Sequence, residues 1–113
     1  MDDCVFCKIA AGEIPSKKAY EDDKVLAFYD LDPQAPVHIL IIPKEHIASA
    51  NDITKENCEI VGNIFTIAAE LAKKLRLECG YRIVNNCGRD GGQTVNHLHF
   101  HLLGGRAMAW PPG

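Results

Sequence analysis

The sequence predicts an α+β fold built on an antiparallel sheet. Three observations predict it: one long amphipathic helical segment, several short strand-type segments, and short connections between neighbouring strands. The chain has 113 residues, of which 47% are hydrophobic and 24% charged, an ordinary composition for a globular protein. We therefore expect a single domain over residues 1–113.

The N-terminal part of the chain predicts one short helix and three strands. Gly12 is placed to end the helix, and the Asp22-Asp23 pair supplies a turn between the first two strands. Pro33 and Pro36 remove backbone donors and disfavour helix, so the segment around them is a loop. The predicted ranges are 4–11 for the helix and 18–21, 24–29 and 37–42 for the strands.

The C-terminal part predicts the long helix over residues 54–78, with Gly80 at the position that ends it. Residues 81–86 and 95–103 are predicted strands, joined by the turn-rich loop 87–92. The sheet then has five strands. Apolar residues at three-and-four spacing form one stripe on the helix. They are Cys58, Val61, Phe65, Ala68, Leu71, Ala72 and Leu75.

Charge and hydropathy exclude two classes of partner. The net charge is −3 and there is no polybasic stretch, so we expect no extended nucleic-acid binding. No run approaches the ~20 apolar residues of a membrane span, and the N-terminus lacks a secretion signal. We expect a cytoplasmic protein without a membrane partner. An odd cysteine count of five then favours metal ligands or free thiols over a disulfide framework.

Three histidines at alternate positions, His97, His99 and His101, are the main candidate for chemistry. A strand would place them on one face about 7 Å apart, with the apolar residues between them directed into a core. A helix would scatter the same rings around its circumference. An imidazole in such a row can attack phosphorus, transfer a proton or bind a metal.

A glycine-rich segment precedes the row. Gly91 and Gly92 would let backbone N–H groups approach an anion closely, and Thr94 adds a hydroxyl. Next to the histidines, this pattern indicates a phosphate cradle beside a nucleophile. The alternative is a glycine-rich hairpin turn without a ligand.

Residues 92–103, GQTVNHLHFHLL, resemble the signature of the histidine triad (HIT) superfamily, in which three histidines alternate with apolar residues. The segments 32–38, 90–93, 102–106 and 110–113 resemble its Hint (histidine triad nucleotide-binding) branch, in the bacterial type with a zinc-binding C-x₂-C pair. The resemblance covers the chain from Cys4 to its end. It implies the HIT fold, an antiparallel five-stranded sheet with one long and one short N-terminal helix, and a homodimer in which two sheets join.

The same resemblance implies hydrolysis of purine nucleoside phosphoramidates, releasing an AMP- or GMP-type nucleotide, without an organic cofactor. His99 matches the nucleophile that forms a nucleotidyl-histidine intermediate. His101 matches the residue that contacts the phosphate or leaving group, and it or Thr94 would supply the leaving amine with a proton. His38 matches a histidine behind the triad, although a buried structural histidine is the alternative at that position.

The resemblance also implies a set of nucleotide-binding residues. Asp30 matches the ribose ligand, although alone it would be a turn residue, and Asn86 alone would be an ordinary loop residue. Trp110 lies in a tail that would reach the partner's active site. The complete set is Asp30, Leu31, Asn86, Gly92, Gln93, Thr94, His99, His101 and Trp110.

The pair Cys4 and Cys7 forms a C-x₂-C motif, which indicates either a zinc site or two reduced thiols on a short helix. Zinc requires four ligands, and the resemblance implies that His46 and His97 complete the set. Such a structural zinc would tie the N-terminus to the catalytic strand. The remaining cysteines are expected to be unpaired.

Other functions remain open at this point. A dinucleoside polyphosphate hydrolase of the same superfamily is disfavoured by residues 102–106 and 110–113. A non-catalytic nucleotide sensor or adaptor is disfavoured because Thr94, His99 and His101 are all present. A metal-handling protein that uses the whole row as ligands would leave Asp30 unexplained.

Overall fold

One antiparallel sheet of five strands carries the fold, as the sequence predicts. The computed structural model describes residues 3–113. The sheet order is β1-β2-β3-β5-β4, and every neighbouring pair is antiparallel. The strands are β1 Lys18–Glu21, β2 Val25–Tyr29, β3 Val37–Pro43, β4 Tyr81–Val84 and β5 Phe100–Gly104. The helices are α1 Val5–Ala10, α2 Glu59–Lys74 and the single turn α3 Gly88–Gly91, with a 3₁₀ turn at Ala50–Asp52.

Strand β3 is buried on both faces, which explains its continuous apolar sequence. Ile39 and Ile41 pack against α2, whereas Leu40 and Ile42 belong to a second cluster that includes Phe6 of α1. The sheet therefore has an α2 face and an α1 face. The histidine residues discussed below lie on the α1 face or at its edge.

The long helix is shorter than the predicted 54–78, because side chains at its start compete with the helical backbone. Asn57 Oδ1 accepts a hydrogen bond of 2.6 Å from the Thr54 N–H, and regular helix begins only at Glu59. At the other end, regular helix stops at Lys74 and Arg76 takes the left-handed conformation, with φ +59°, whereas Gly80, whose φ of +108° is also positive, lies beyond the helix end. The N–H groups of Arg76 and Leu77 bond back to Lys73 and Ala72, which closes the last turn.

The buried face of α2 also differs from the predicted stripe. Cys58 lies before the helix and is exposed, and Phe65 is 47% exposed. The helix is rotated so that Ile64 and Ile67 occupy the centre of the interface, together with Ala68, Leu71 and Ala72. None of the described helices has the length and apolar character needed to cross a membrane.

Two consecutive glycines, the last residue of β5 and the residue after it, lie at points of close contact. A Cβ on Gly104 would lie 2.6 Å from Leu77 Cδ1, and one on Gly105, where φ is +92°, would lie 2.9 Å from Pro36 Cβ. The next residue, Arg106, donates a hydrogen bond of 2.9 Å from Nε to the Gln34 carbonyl. This segment therefore holds the loop between β2 and β3 against the end of β5.

Candidate functional site

His97, His99 and His101 do not form the evenly spaced row that a continuous strand would produce. Strand β5 begins at Phe100, so of the three histidines only His101 lies within it. The predicted strand range 95–103 is therefore wrong, and so is the predicted ring spacing of about 7 Å. The Leu98 N–H donates to the Ile47 carbonyl at 2.6 Å, which pulls the chain away from the sheet before the strand starts. The rings of His99 and His101 are therefore only 5.2 Å apart, and His99 is 4% exposed.

Hydrogen bonding fixes the tautomer of His99. Its Nδ1 lies 2.7 Å from the main-chain carbonyl oxygen of His97. A carbonyl can only accept, so Nδ1 carries the proton and Nε2 retains its lone pair in the neutral ring. His99 is thereby prepared to act as a nucleophile through Nε2.

A chain of hydrogen bonds fixes the tautomers of His38 and His101. The Gln34 N–H donates to His38 Nδ1 at 3.0 Å, so the proton of His38 is on Nε2. That nitrogen lies 2.8 Å from His101 Nδ1 and 3.5 Å from Asp30 Oδ2. His101 Nδ1 therefore accepts, and its Nε2 carries a proton that can be donated to a ligand.

Burial keeps these rings neutral. Desolvation, followed by the neighbouring His99 and His38, lowers the pKa of His101 to about 4, although Asp30 opposes the shift. Desolvation also lowers the pKa of His38, against the opposing charges of Asp30 and Asp32. At neutral pH His38 and His101 thus present lone pairs and N–H donors rather than imidazolium charges.

A cavity of about 360 Å³ lies beside His99 and His101. Phe6 forms one wall, and its ring meets that of His99 edge to face at a centroid distance of 5.1 Å. Asp30, which lies next to His38, also lines the cavity. A mostly apolar cavity with a few polar groups close together is typical of a binding site for a small molecule. Its lining includes Val5, Phe6, Ile9, Ser16, Phe28, Asp30, Leu31, Leu40, Thr94, Val95, His99 and His101.

The glycine-rich loop forms a tight turn, and some of its backbone N–H groups already donate hydrogen bonds within the loop. The N–H groups of Gly92 and Gln93 bond to Arg89 and Gly88. The Gln93 side chain donates to the carbonyls of Ala48 and Val95 at 2.8 and 3.0 Å, so it braces the loop. Thr94 is exposed and lines the cavity. Among these positions, Thr94 is therefore the one that lines the cavity beside His99.

Asn85 is a site residue that the sequence analysis missed. Its Nδ2 donates a hydrogen bond of 2.9 Å to the main-chain carbonyl of His99, across fourteen residues of sequence. The predicted Asn86 follows it, and its backbone passes close to Gly91, where a Cβ would lie 3.7 Å from the Asn86 carbonyl carbon. The Asn-Asn pair at the end of β4 was the available signal, but sequence alone does not say which of the two faces the histidines.

The predicted metal ligands converge at the N-terminus of α1. Cys7 Sγ lies 3.3 Å from His46 Nδ1 and 3.5 Å from His97 Nδ1, and Cys4 Sγ lies 3.4 Å from the same His97 atom. All four donor atoms lie within 4.8 Å of one another. Tetrahedral zinc, with Zn–S of about 2.3 Å and Zn–N of about 2.0 Å, would space sulfur and nitrogen ligands about 3.5 Å apart. The donor set and its spacing fit zinc.

A second contact orients one of these donors. His97 Nε2 lies 2.7 Å from the Pro43 carbonyl oxygen, so Nε2 carries the proton and Nδ1 is free to bind a metal. Desolvation, together with Cys4, raises the pKa of the Cys7 thiol. A bound dication would reverse this, because thiolate is the form that binds zinc.

Two predicted nucleotide ligands lie at the surface. Leu31 is fully exposed at the rim of the cavity. Trp110 is 82% exposed and does not line the cavity within the described chain. The Arg82 guanidinium donates to the Ala109 carbonyl at 3.0 Å, which holds this tail beside β4.

Fold and site together define an α+β protein with a buried histidine, His99, and a half-buried one, His101, beside an apolar cavity, and with a Cys₂His₂ cluster. Residues 11–108 match the HIT domain family, and the chain belongs to this family. It is 51% identical over 111 residues to a 14 kDa zinc-binding protein of Zea mays, covering 96% of this chain and 87% of that one.

Solved structures agree with this assignment. A HIT family hydrolase from Legionella pneumophila Philadelphia 1 is 54% identical, with a TM-score of 0.96 over 98% of this chain and 100% of its own. A histidine triad nucleotide-binding protein from Candida albicans is 38% identical, with a TM-score of 0.82 over 96% of this chain and 83% of its own. The HIT resemblance and the HIT fold predicted from the sequence are confirmed.

Proposed function

We propose that the chain is a purine nucleoside phosphoramidate hydrolase that acts through a nucleotidyl-histidine intermediate. The observation that carries the proposal is the fixed tautomer of His99, whose Nε2 lone pair is available beside an apolar cavity. The HIT family hydrolase among its neighbours supports a hydrolase activity, and the histidine triad nucleotide-binding protein supports a nucleotide as the ligand.

The positions of the protons on His99 and His101 suggest how the reaction would proceed. His99 Nε2 attacks the α-phosphorus and forms a new P–N bond as the substrate's P–N bond to the amine breaks, and the leaving amine takes a proton from His101 Nε2–H or from Thr94. The ring of His99 then carries a positive charge, which its Nδ1–H shares with the His97 carbonyl. The oxygen of a water molecule then attacks the phosphorus, the bond to His99 Nε2 breaks, and a proton of that water replaces the one that His101 or Thr94 gave up. The nucleoside monophosphate is released and His99 is neutral again.

Nucleotide binding is proposed to use the cavity and its rim. Asp30 would bond the ribose hydroxyls, and the aromatic and aliphatic wall would hold the purine. Trp110 would reach the active site of a second copy in a homodimer. The other proposed ligands are Leu31, Asn86, Gly92, Gln93, Thr94, His99 and His101, with His38 behind them.

A structural zinc held by Cys4, Cys7, His46 and His97 is part of the proposal. Zinc-binding relatives such as the Zea mays protein support it. When bound, the ion would cross-link α1 to the segment before β5 and would supply no reactive group. A cytoplasmic location, where thiols stay reduced, suits the free cysteines of the described chain.

The test compares adenosine 5′-phosphoramidate with diadenosine tetraphosphate as substrates. We expect the phosphoramidate to have the higher kcat/KM, and His99→Ala to lower it by more than about 1,000-fold while AMP still binds. Cys79→Ala, at an exposed position, is the control for handling and purification. Faster turnover of the polyphosphate would assign the rival hydrolase activity, and AMP binding without turnover of either substrate would indicate a sensor.

A further inference from the structure

One residue that lines the cavity, Ser16, carries a buried polar atom without a hydrogen-bond partner. Among residues 3–113, Ser16 Oγ is the buried side-chain nitrogen or oxygen for which no hydrogen bond is formed. Buried polar groups in folded proteins are nearly always paired, because an unpaired one has lost its water without replacement. An exception therefore requires an explanation.

The location of Ser16 supplies one. The residue precedes β1, and the carbonyl of the next residue, Lys17, accepts a hydrogen bond of 2.9 Å from the Tyr29 N–H. This pairing places Ser16 beside the end of β2, where Asp30 follows. Ser16 lines the same cavity as Asp30 and His99.

Its neighbours in the cavity wall are mainly apolar. Phe6, Ile9, Ile14 and Phe28 line the cavity together with Ser16. A wall of this kind accepts a flat aromatic base and excludes a charged phosphate. Within such a wall a single hydroxyl fixes orientation and provides specificity, since it can pair with only part of the ligand's edge.

We propose that the Ser16 side chain rotates about its Cα–Cβ bond to turn its hydroxyl towards the cavity, where it forms a direct hydrogen bond to the nucleobase and determines base specificity. The inference rests on the proposed function, because it takes a nucleotide to be the ligand. A serine hydroxyl both donates and accepts, so it can pair with a ring nitrogen or with an exocyclic group. The bound base would then satisfy the atom that is unpaired in the free protein.

The test measures ligand affinity and thermal stability in Ser16→Ala. Calorimetry would use AMP, GMP, purine riboside 5′-monophosphate and ribose 5-phosphate. We expect the affinity for the preferred purine nucleotide to fall about 2- to 12-fold, the value of one neutral hydrogen bond, and that for ribose 5-phosphate to stay unchanged. Without ligand, the Tm should be equal to or higher than that of the wild type, because an unpaired buried hydroxyl is removed.

Two further variants separate a base contact from a structural role. Ser16→Thr retains the hydroxyl and should keep more of the base preference than Ser16→Ala does. Ser49→Ala removes a hydroxyl that accepts from the Asn51 N–H outside the cavity, so it should lower the Tm without changing base preference. Equal losses for ribose 5-phosphate and the nucleotides in Ser16→Ala, or no loss for any nucleotide, would overturn the inference. Failure of the wild type to bind nucleotides would instead contradict the proposed function.

Discussion

His99 gains its reactive nitrogen from the backbone rather than from an acidic partner. The His97 carbonyl holds Nδ1–H, and the Asn85 side chain in turn holds the His99 carbonyl. A carbonyl oxygen can only accept a hydrogen bond, so it fixes the proton on Nδ1 without placing a charged group beside the ring. This arrangement suits a nucleophile that must be neutral at physiological pH.

His101 predicts a pH dependence of stability. Its pKa is lowered to about 4 in the folded protein and is near 6.5 when unfolded, so the unfolded chain binds more protons between these values. The free energy of unfolding should therefore fall as the pH drops from about 6.5 towards 4, by up to about 3 kcal/mol from this group. Urea unfolding at several pH values in wild type and His101→Gln measures it. An identical pH slope in both proteins would contradict the burial argument.

At the scale of elements, α1 connects the cysteine cluster to the cavity. Cys4 and Cys7 flank Phe6, whose ring contacts both His97 and His99 at centroid distances of 5.9 and 5.1 Å. A helix of six residues is too short to be stable alone. We infer that its position depends on the cluster and on the packing of Phe6.

Cys7→Ser tests this dependence. Losing one of four donors should remove the metal, loosen α1 and lower the affinity for AMP, because Phe6 lines the cavity. At a zinc concentration of 100 times the dissociation constant, the variant should lose about 3 kcal/mol of stabilisation. Metal content, Tm and AMP binding are the readouts, with the exposed Cys58→Ser as the matched control. Full metal content in Cys7→Ser would be inconsistent with the proposed ligands.

The elements also show how far sequence reasoning extends. The α+β class, the antiparallel sheet and its five strands were predictable, because hydrophobic periodicity is a local signal. The start of α2 was not, because Thr54 and Asn57 form local hydrogen bonds that compete with helix. The bonds from Asn85 to His99 and from His38 to His101 join residues far apart in sequence, so only the fold reveals them.

At the scale of the whole molecule, the pairing of β3 with β5 brings the site together. His101 lies opposite Leu40 and His38 opposite Leu103, so both rings project from one face of adjacent strands. The loop carrying Asp30 is then held over this face through Arg106 and Gln34. The segment 104–106, whose role the sequence did not explain, thus positions the loop that carries Asp30.

The exposed tail gives a prediction about assembly. Trp110 is 82% exposed, and large exposed aromatic residues are typical of contact surfaces. Deleting residues 110–113 should shift the preference among phosphoramidates with different amine groups more than it changes Tm. Turnover of an alkyl and an aryl phosphoramidate, with sedimentation to record the oligomeric state, measures both. Unchanged kinetics would remove Trp110 from the proposed site.

The central claim, covalent catalysis by His99, is tested most directly by trapping the intermediate. Wild-type protein would be mixed with excess adenosine 5′-phosphoramidate and quenched in denaturant at alkaline pH, because phosphorus–histidine bonds are acid-labile. Mass spectrometry of the intact protein and its peptides should then show one adenylyl group per chain, located on His99, and none in His99→Ala. Turnover without any adduct, or an adduct on a different residue, would contradict the account.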